Sequence, residues 1–158
     1  MDWTTLLFSF NGRINRGKYW LAVLIYMVAW AVFIAGSLSW LGGKSIDNLL
    51  SFAGAALLIW LIGFILLILG AWSGLAIGVN RLHDRDKSGW WILLFWLGPS
   101  FLSVWPAATS DLGATLILSL AATAIAVWAF VELGCLRGTP GPNQYGPDPL
   151  GPAYALRF

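Results

Sequence analysis

Residues 49–80 read LLSFAGAALLIWLIGFILLILGAWSGLAIGVN, a run without a single Asp, Glu, Lys or Arg. A helix that crosses a bilayer needs about 20 predominantly apolar residues, so this stretch can span with length to spare. At a rise of 1.5 Å per residue it reaches roughly 45 Å, against a hydrocarbon core of about 30 Å. It must tilt, break or project from the membrane.

Three more stretches lack the same charged residue types: 19–43, 90–110 and 112–131. The four together predict an all-α integral membrane bundle, with transmembrane helices over about 19–43, 49–80, 90–108 and 112–133 inside a domain of residues 1–137. Thr109, Ser110, Asp111 and Gly113 leave only a tight turn between the last two spans, and Pro99 and Pro106 bend or end the third. Composition agrees with a membrane class: 59% of the 158 residues are hydrophobic and 10% charged, where a soluble domain has roughly 25% charged. The first apolar run is longer than a signal-peptide core and reads as a retained span.

Lys and Arg in short connecting segments stay on the cytoplasmic side. Arg13, Arg16 and Lys18 precede the first span, Arg81, Arg85 and Lys87 lie between the second and third, and Arg137 and Arg157 follow the fourth. Lys44 alone falls on the other side. This asymmetry predicts a multi-pass protein of the plasma membrane with both termini cytoplasmic. Trp20 and Trp40, about 30 Å apart along a helix, bracket the first span at the two interfaces, where indole rings meet both lipid and water.

Outside the spans, Trp3, Leu6, Leu7 and Phe10 have the spacing of an apolar helical stripe, with Asp2 available as an N-cap. A short interfacial N-terminal helix is expected there. Residues 138–158 carry Gly138, Pro140, Gly141, Pro142, Gly146, Pro147, Pro149, Gly151 and Pro152, which exclude a regular helix. That cytoplasmic tail is expected to be irregular and folded back onto the loops through Asn143, Gln144 and Tyr145.

Gly63, Gly70, Gly74 and Gly78 share one face of the second span, in the manner of a glycine zipper. Small residues let a second backbone approach where lipid supplies no hydrophobic drive. Packing against neighbouring spans is the first reading; self-association and a glycine-lined pore are the alternatives.

The loop from Asn80 to Trp91 is the most polar segment and holds the sole histidine. His83 beside Asp84 has the residue types of an oriented general base, but adjacent residues rarely point at one another. A hydrogen-bonded structural His83 is the plainer reading. With one histidine and one cysteine, Cys135, no metal-ligand spacing exists, and neither a metal nor a cofactor is expected. Cys135 itself reads as small apolar filler, with lipidation the functional alternative. No ionisable residue lies deep in a span, as proton relays and ion-coupled transporters require. No phosphate-binding glycine loop or framed serine nucleophile is present, and the few basic groups lie too close to the bilayer for nucleic acid.

Three segments then carry a resemblance: 10–20, FNGRINRGKYW; 81–84, RLHD, with 88–91, SGWW; and 138–149, GTPGPNQYGPDP. In this order and separated by spans, the chain resembles the bacterial inner-membrane family catalogued as domain of unknown function 805. The resemblance implies a bacterial cytoplasmic membrane and brings no assigned activity. Asn80 stands where the family commonly has a second arginine, which lowers the positive charge.

All three segments fall on the face that charge counting makes cytoplasmic. The expected cluster comprises Arg13, Arg16 and Arg81, with Asp84 and Asp148 as countercharges and Asn143 and Tyr145 closing it; His83, Ser88 and Trp90 lie in the same layer. Buried charges need such pairing. The resulting expectation is a noncatalytic structural or binding protein whose arginine-rich layer contacts acidic lipid headgroups or a partner protein, another copy included. A membrane enzyme acting on a lipid phosphate and a small channel or transporter component are the alternatives.

Overall fold

The computed structural model describes residues 3–42, 49–104 and 111–151. Asp2, Lys44, Pro106, Thr109, Ser110 and Arg157 lie outside this description. Helix α1 covers Trp3–Phe8, α2 Arg16–Gly42, α3 Leu49–Asp84, α4 Trp91–Val104 and α5 Leu112–Phe130, and α5 continues into a π-helical turn over Val131–Cys135. Among the described residues there is no strand, only one isolated bridge between Asn143 and Gly146.

The helices form because long apolar runs have no polar alternative for their backbone groups in lipid. Three of them, α2, α3 and α5 with its π turn, are long and apolar enough to cross a membrane; α4 is a shorter apolar helix of 14 residues. Pro99 sits inside α4 without ending it, and Ser103 Oγ donates to the Pro99 carbonyl at 2.7 Å. Asp111 caps α5, its Oδ1 accepting from Gly113 N at 2.8 Å. Of the options open to the long second stretch, breaking is not taken. The helix α3 runs unbroken for 36 residues and carries Arg81, His83 and Asp84 in its last turn.

The start of α2, the end of α3, the start of α4 and the end of α5 meet in one layer, so successive helices run in opposite directions. Ile14 N donates to Asn80 O at 3.2 Å, Trp20 Nε1 donates to Gly134 O at 3.0 Å, and Ile92 packs where a Cβ on Gly78 would stand. Two apolar clusters lie against this layer. One joins Val79, Leu82, Ile92, Phe95 and Leu133; the other joins Ile14, Ala22 and Ile77. Leu7 of α1 packs on the second cluster, and Phe10 meets Trp72 edge to face at 5.2 Å. The N-terminal helix thus leans on α3.

Candidate functional site

Helix ends set the problem that this layer solves. The last four carbonyls of a helix have no partner within it, and the C-termini of α3 and α5 converge here. The π turn after α5 bonds Leu136 N to Val131 O at 3.0 Å and leaves the Leu133, Gly134, Cys135 and Leu136 carbonyls to other donors. Arg81 Nε takes Leu133 O at 2.8 Å, and its Nη2 takes Leu136 O. Trp20 takes Gly134 O, and Arg16 Nη1 reaches Cys135 O at 3.5 Å. Cations at helix C-termini also oppose the negative end of the helix dipole. At the end of α3, Asn143 Nδ2 donates to His83 O at 2.8 Å and Thr139 N to Asp84 O at 2.8 Å. The tail thereby closes one helix and Arg81 the other.

Asp84 holds the two inner arginines together. Its Oδ1 accepts from Arg13 Nε at 3.3 Å and Nη2 at 3.2 Å, and its Oδ2 from Arg81 Nη1 at 2.5 Å. Arg13 also donates through Nη1 to Gly141 O at 2.7 Å and Gly146 O at 3.1 Å, and through Nη2 to Thr139 O at 2.7 Å. Exposure of Arg13 is 4% and of Arg81 0%. Guanidinium is suited to such sites because its five donors fan out in a plane and it is weakly hydrated. Here the fan is spent on the protein's own acceptors. The space around Arg13 and Arg81 is filled by Asp84, Thr139 and backbone carbonyls.

Several sequence-predicted residues stand elsewhere. Arg16 is exposed, at the rim of the layer. Asp148 is not a salt-bridge partner of the arginines: its Oδ2 accepts from Gly141 N at 3.0 Å and its Oδ1 from Leu150 N at 2.9 Å. A short acidic side chain flanked by prolines satisfies its own turn first. Tyr145 closes the layer by stacking on His83, centroids 3.8 Å apart and planes 5° from parallel. Ser88 and Trp90 are exposed, and Ser88 Oγ accepts only a long bond, 3.4 Å, from Trp90 N. Cys135 is exposed and free, which corrects its reading as filler.

A second ionic group escaped sequence reasoning. Glu132 is buried in the π turn, and its Oε1 accepts from Arg85 Nε at 3.0 Å and Lys87 Nζ at 3.0 Å. Arg85 continues to Arg137 O at 2.5 Å. The available signal was that Glu132 is the first charge after the fourth apolar run, opposite a basic loop.

This geometry constrains chemistry. Both Asp84 oxygens hold arginines while the His83 ring stacks on Tyr145, so the two do not form an acid–base pair. Among the described residues no three His, Cys, Asp or Glu side chains gather as a metal site would need. On α3, a Cβ at Gly63 would meet Phe33, at Gly74 Trp96 and at Gly78 Ile92, whereas Gly70 has nothing within 4 Å. Three of the four glycines therefore admit side chains from α2 and α4.

Apolar helices of membrane length, tied at one end by internally paired charges, define a helical membrane protein. The chain belongs to the family described as Protein of unknown function (DUF805), which it matches over residues 7–147. Among its relatives in Escherichia coli (strain K12), the uncharacterized protein YiiR is 34% identical over 150 residues, covering 90% of this chain and 86% of its own. The inner membrane protein YhaH is 31% identical over 156 residues, covering 94% and 97%, and the inner membrane protein YhaI is 28% identical over 141 residues, covering 89% and 86%. No solved structure matches the chain.

Proposed function

We propose that this chain is a noncatalytic four-span protein of the bacterial inner membrane with both termini in the cytoplasm. On this reading its polar layer holds the bundle together, and the rim of that layer contacts acidic lipid headgroups. Four crossings follow if α4, which at 14 residues covers about 21 Å, serves as the third span. An even number of crossings keeps every basic segment of the layer on one side, as retention of Lys and Arg requires.

The observation that carries the division of labour is the contrast among the arginines. Arg13 and Arg81 are buried and spend their donors on the chain, whereas Arg16 is exposed and makes, among the described residues, one hydrogen bond at 3.5 Å. Basic side chains at headgroup depth attract anionic lipid by about 1 kcal/mol each. Arg16 and Lys18 supply that charge here; Arg13 and Arg81 are structural. Purification of Arg16→Ala/Lys18→Ala should therefore carry less anionic phospholipid than wild type while thermal stability in detergent is kept. Equal retention would sink the lipid reading and favour a second copy or another membrane protein as the partner at the rim.

A further inference from the structure

Beside the buried arginines, and bordered on one side by His83 and Tyr145 of the same layer, lies a cavity of about 440 Å3, within the size range of small-molecule sites, about 300–1,000 Å3. Phe10, Leu75, Val79, Ile92 and Leu93 make most of its wall. Gly89 keeps one end open, since a Cβ there would stand 2.7 Å from Val79 Cγ1 and 3.3 Å from His83 Nε2. Leu93 and Trp90 line it and are exposed. The cavity thus opens between α3 and α4 on a surface that lipid covers if these helices cross the membrane.

Four residues of the lining carry polar side-chain atoms, His83, Ser88, Trp90 and Tyr145, and two of them bear on the ligand. Ser88 contributes a hydroxyl whose one bond among the described residues is long, 3.4 Å from Trp90 N. His83 is the more buried group: it is 9% exposed, Tyr145 stacks on its ring, and Nδ1 is closed off from the cavity. The Gly12 backbone also bonds to the ring. Of the two ring nitrogens, Nε2 is the one beside the cavity, 3.3 Å from where a Cβ on Gly89 would stand, and so the one a bound molecule reaches.

We propose that this cavity is a binding site for an uncharged lipid alcohol, a diacylglycerol, with one chain against Leu75, Val79 and Ile92 and its hydroxyl at His83 and Ser88. The argument for a hydroxyl is chemical. A neutral imidazole has one donor and one acceptor, and a hydroxyl, which both donates and accepts, satisfies either tautomer. A phosphate would bring negative charge against a wall that holds no Lys or Arg, at the cost of burying an unpaired ion. An apolar chain in turn suits the aliphatic wall and reaches it from the membrane. The site shares no residue with the proposed acidic-headgroup rim at Arg16 and Lys18.

The test uses the full chain in phosphatidylcholine nanodiscs doped with a diacylglycerol carrying a diazirine on one acyl chain. After photolysis, mass spectrometry should find the label on peptides holding Leu75, Val79 and Leu93. Filling the mouth with Leu93→Trp should abolish it. His83→Phe, which keeps a ring to stack on Tyr145 but removes the nitrogens, should lower labelling roughly fivefold, the worth of one hydrogen bond. Leu93 sits at the exposed edge, so its variant tests the site even where His83→Phe fails to fold. Equal labelling of wild type and Leu93→Trp overturns the proposal. So does equal labelling by a phosphatidic acid with the same chains, because the hydroxyl would then not be what is read. Failure here with intact loss of anionic lipid in Arg16→Ala/Lys18→Ala would leave the rim reading standing.

Discussion

The polar layer and the apolar shafts of the same helices obey opposite rules. In the layer, Arg81 and Leu82 are both 0% exposed, side by side. Along the shaft of α3, Trp60 is 67% exposed and Leu67 54%. A soluble protein buries its leucines and leaves arginine outside. Here lipid already solvates the leucines, and no force comparable to the hydrophobic effect pulls one shaft against another. Polar groups at the membrane edge gain the most by bonding to one another, so specificity concentrates where the charges are. The comparison teaches that this fold is pinned at one end. Helix crossings follow from apolar length, whereas the polar contacts of the layer, the Arg13–Asp84–Arg81 group first among them, fix how the helix ends sit together.

The strongest way to break the comparison is Arg81→Ala. It would leave Asp84 with Arg13 as its remaining partner and return the Leu133 and Leu136 carbonyls to the orphan state of a helix end. Removing one member of a buried ion pair costs about 3–5 kcal/mol. Unfolding in detergent, followed by helical circular dichroism against temperature or denaturant, should show a loss of that size. Arg81→Lys should recover little of it, because an ammonium cannot reach Leu133, Leu136 and Asp84 at once. A loss under about 1 kcal/mol, the range of a surface ion pair, would mean that the layer does not pin the bundle.

A smaller effect is expected at Gly138. A Cβ there would stand 2.0 Å from Asp84 Oδ2 and 2.5 Å from its Cγ. Asp84 cannot swing aside without releasing both arginines, so Gly138→Ala should cost about 1–3 kcal/mol, as overpacking does. The same unfolding measurement checks it, with Gly141→Ala as a contrast of different origin. Gly141 has nothing within 4 Å of a Cβ but a φ of 76°, so its cost would come from backbone strain alone. A neutral Gly138→Ala would show that the tail does not press on Asp84 in the membrane-embedded protein.

How much of this was legible follows the same division. The shafts are written in residue types: residues 49–80 have no charge, and α3 covers them from Leu49. Its extension to Asp84 was not readable, because the partners of Arg81, His83 and Asp84 there are distant in sequence, Leu133, Asn143 and Thr139 among them. Within the layer, the arginines and Asp84 stood out by charge, but most of what Arg13 grips is backbone carbonyl, at Thr139, Gly141 and Gly146. A carbonyl leaves no mark in the sequence. Asp148 has the sign of a countercharge, yet local backbone donors reach it first. Glu132, by contrast, carried a readable signal as the acid facing the basic loop that holds Arg85 and Lys87.

The smallest effect sharpens the comparison most. Leu67→Ala, on the exposed shaft of α3, should change unfolding by no more than about 0.5 kcal/mol. Leu82→Ala removes the same atoms from a cluster closed by Val79, Ile92, Phe95 and Leu133 and should cost about 2–5 kcal/mol. The difference arises because lipid or detergent tails flow into the space vacated at Leu67, whereas the walls around Leu82 cannot collapse on a cavity. Measuring both in one detergent and again in bilayer nanodiscs separates solvation from packing. Should Leu67→Ala approach the cost of Leu82→Ala in the bilayer alone, that shaft face would be covered by protein there, by a second copy or another membrane protein. The exposed shafts would then be interfaces, and the layer would be one of two places where the assembly is held.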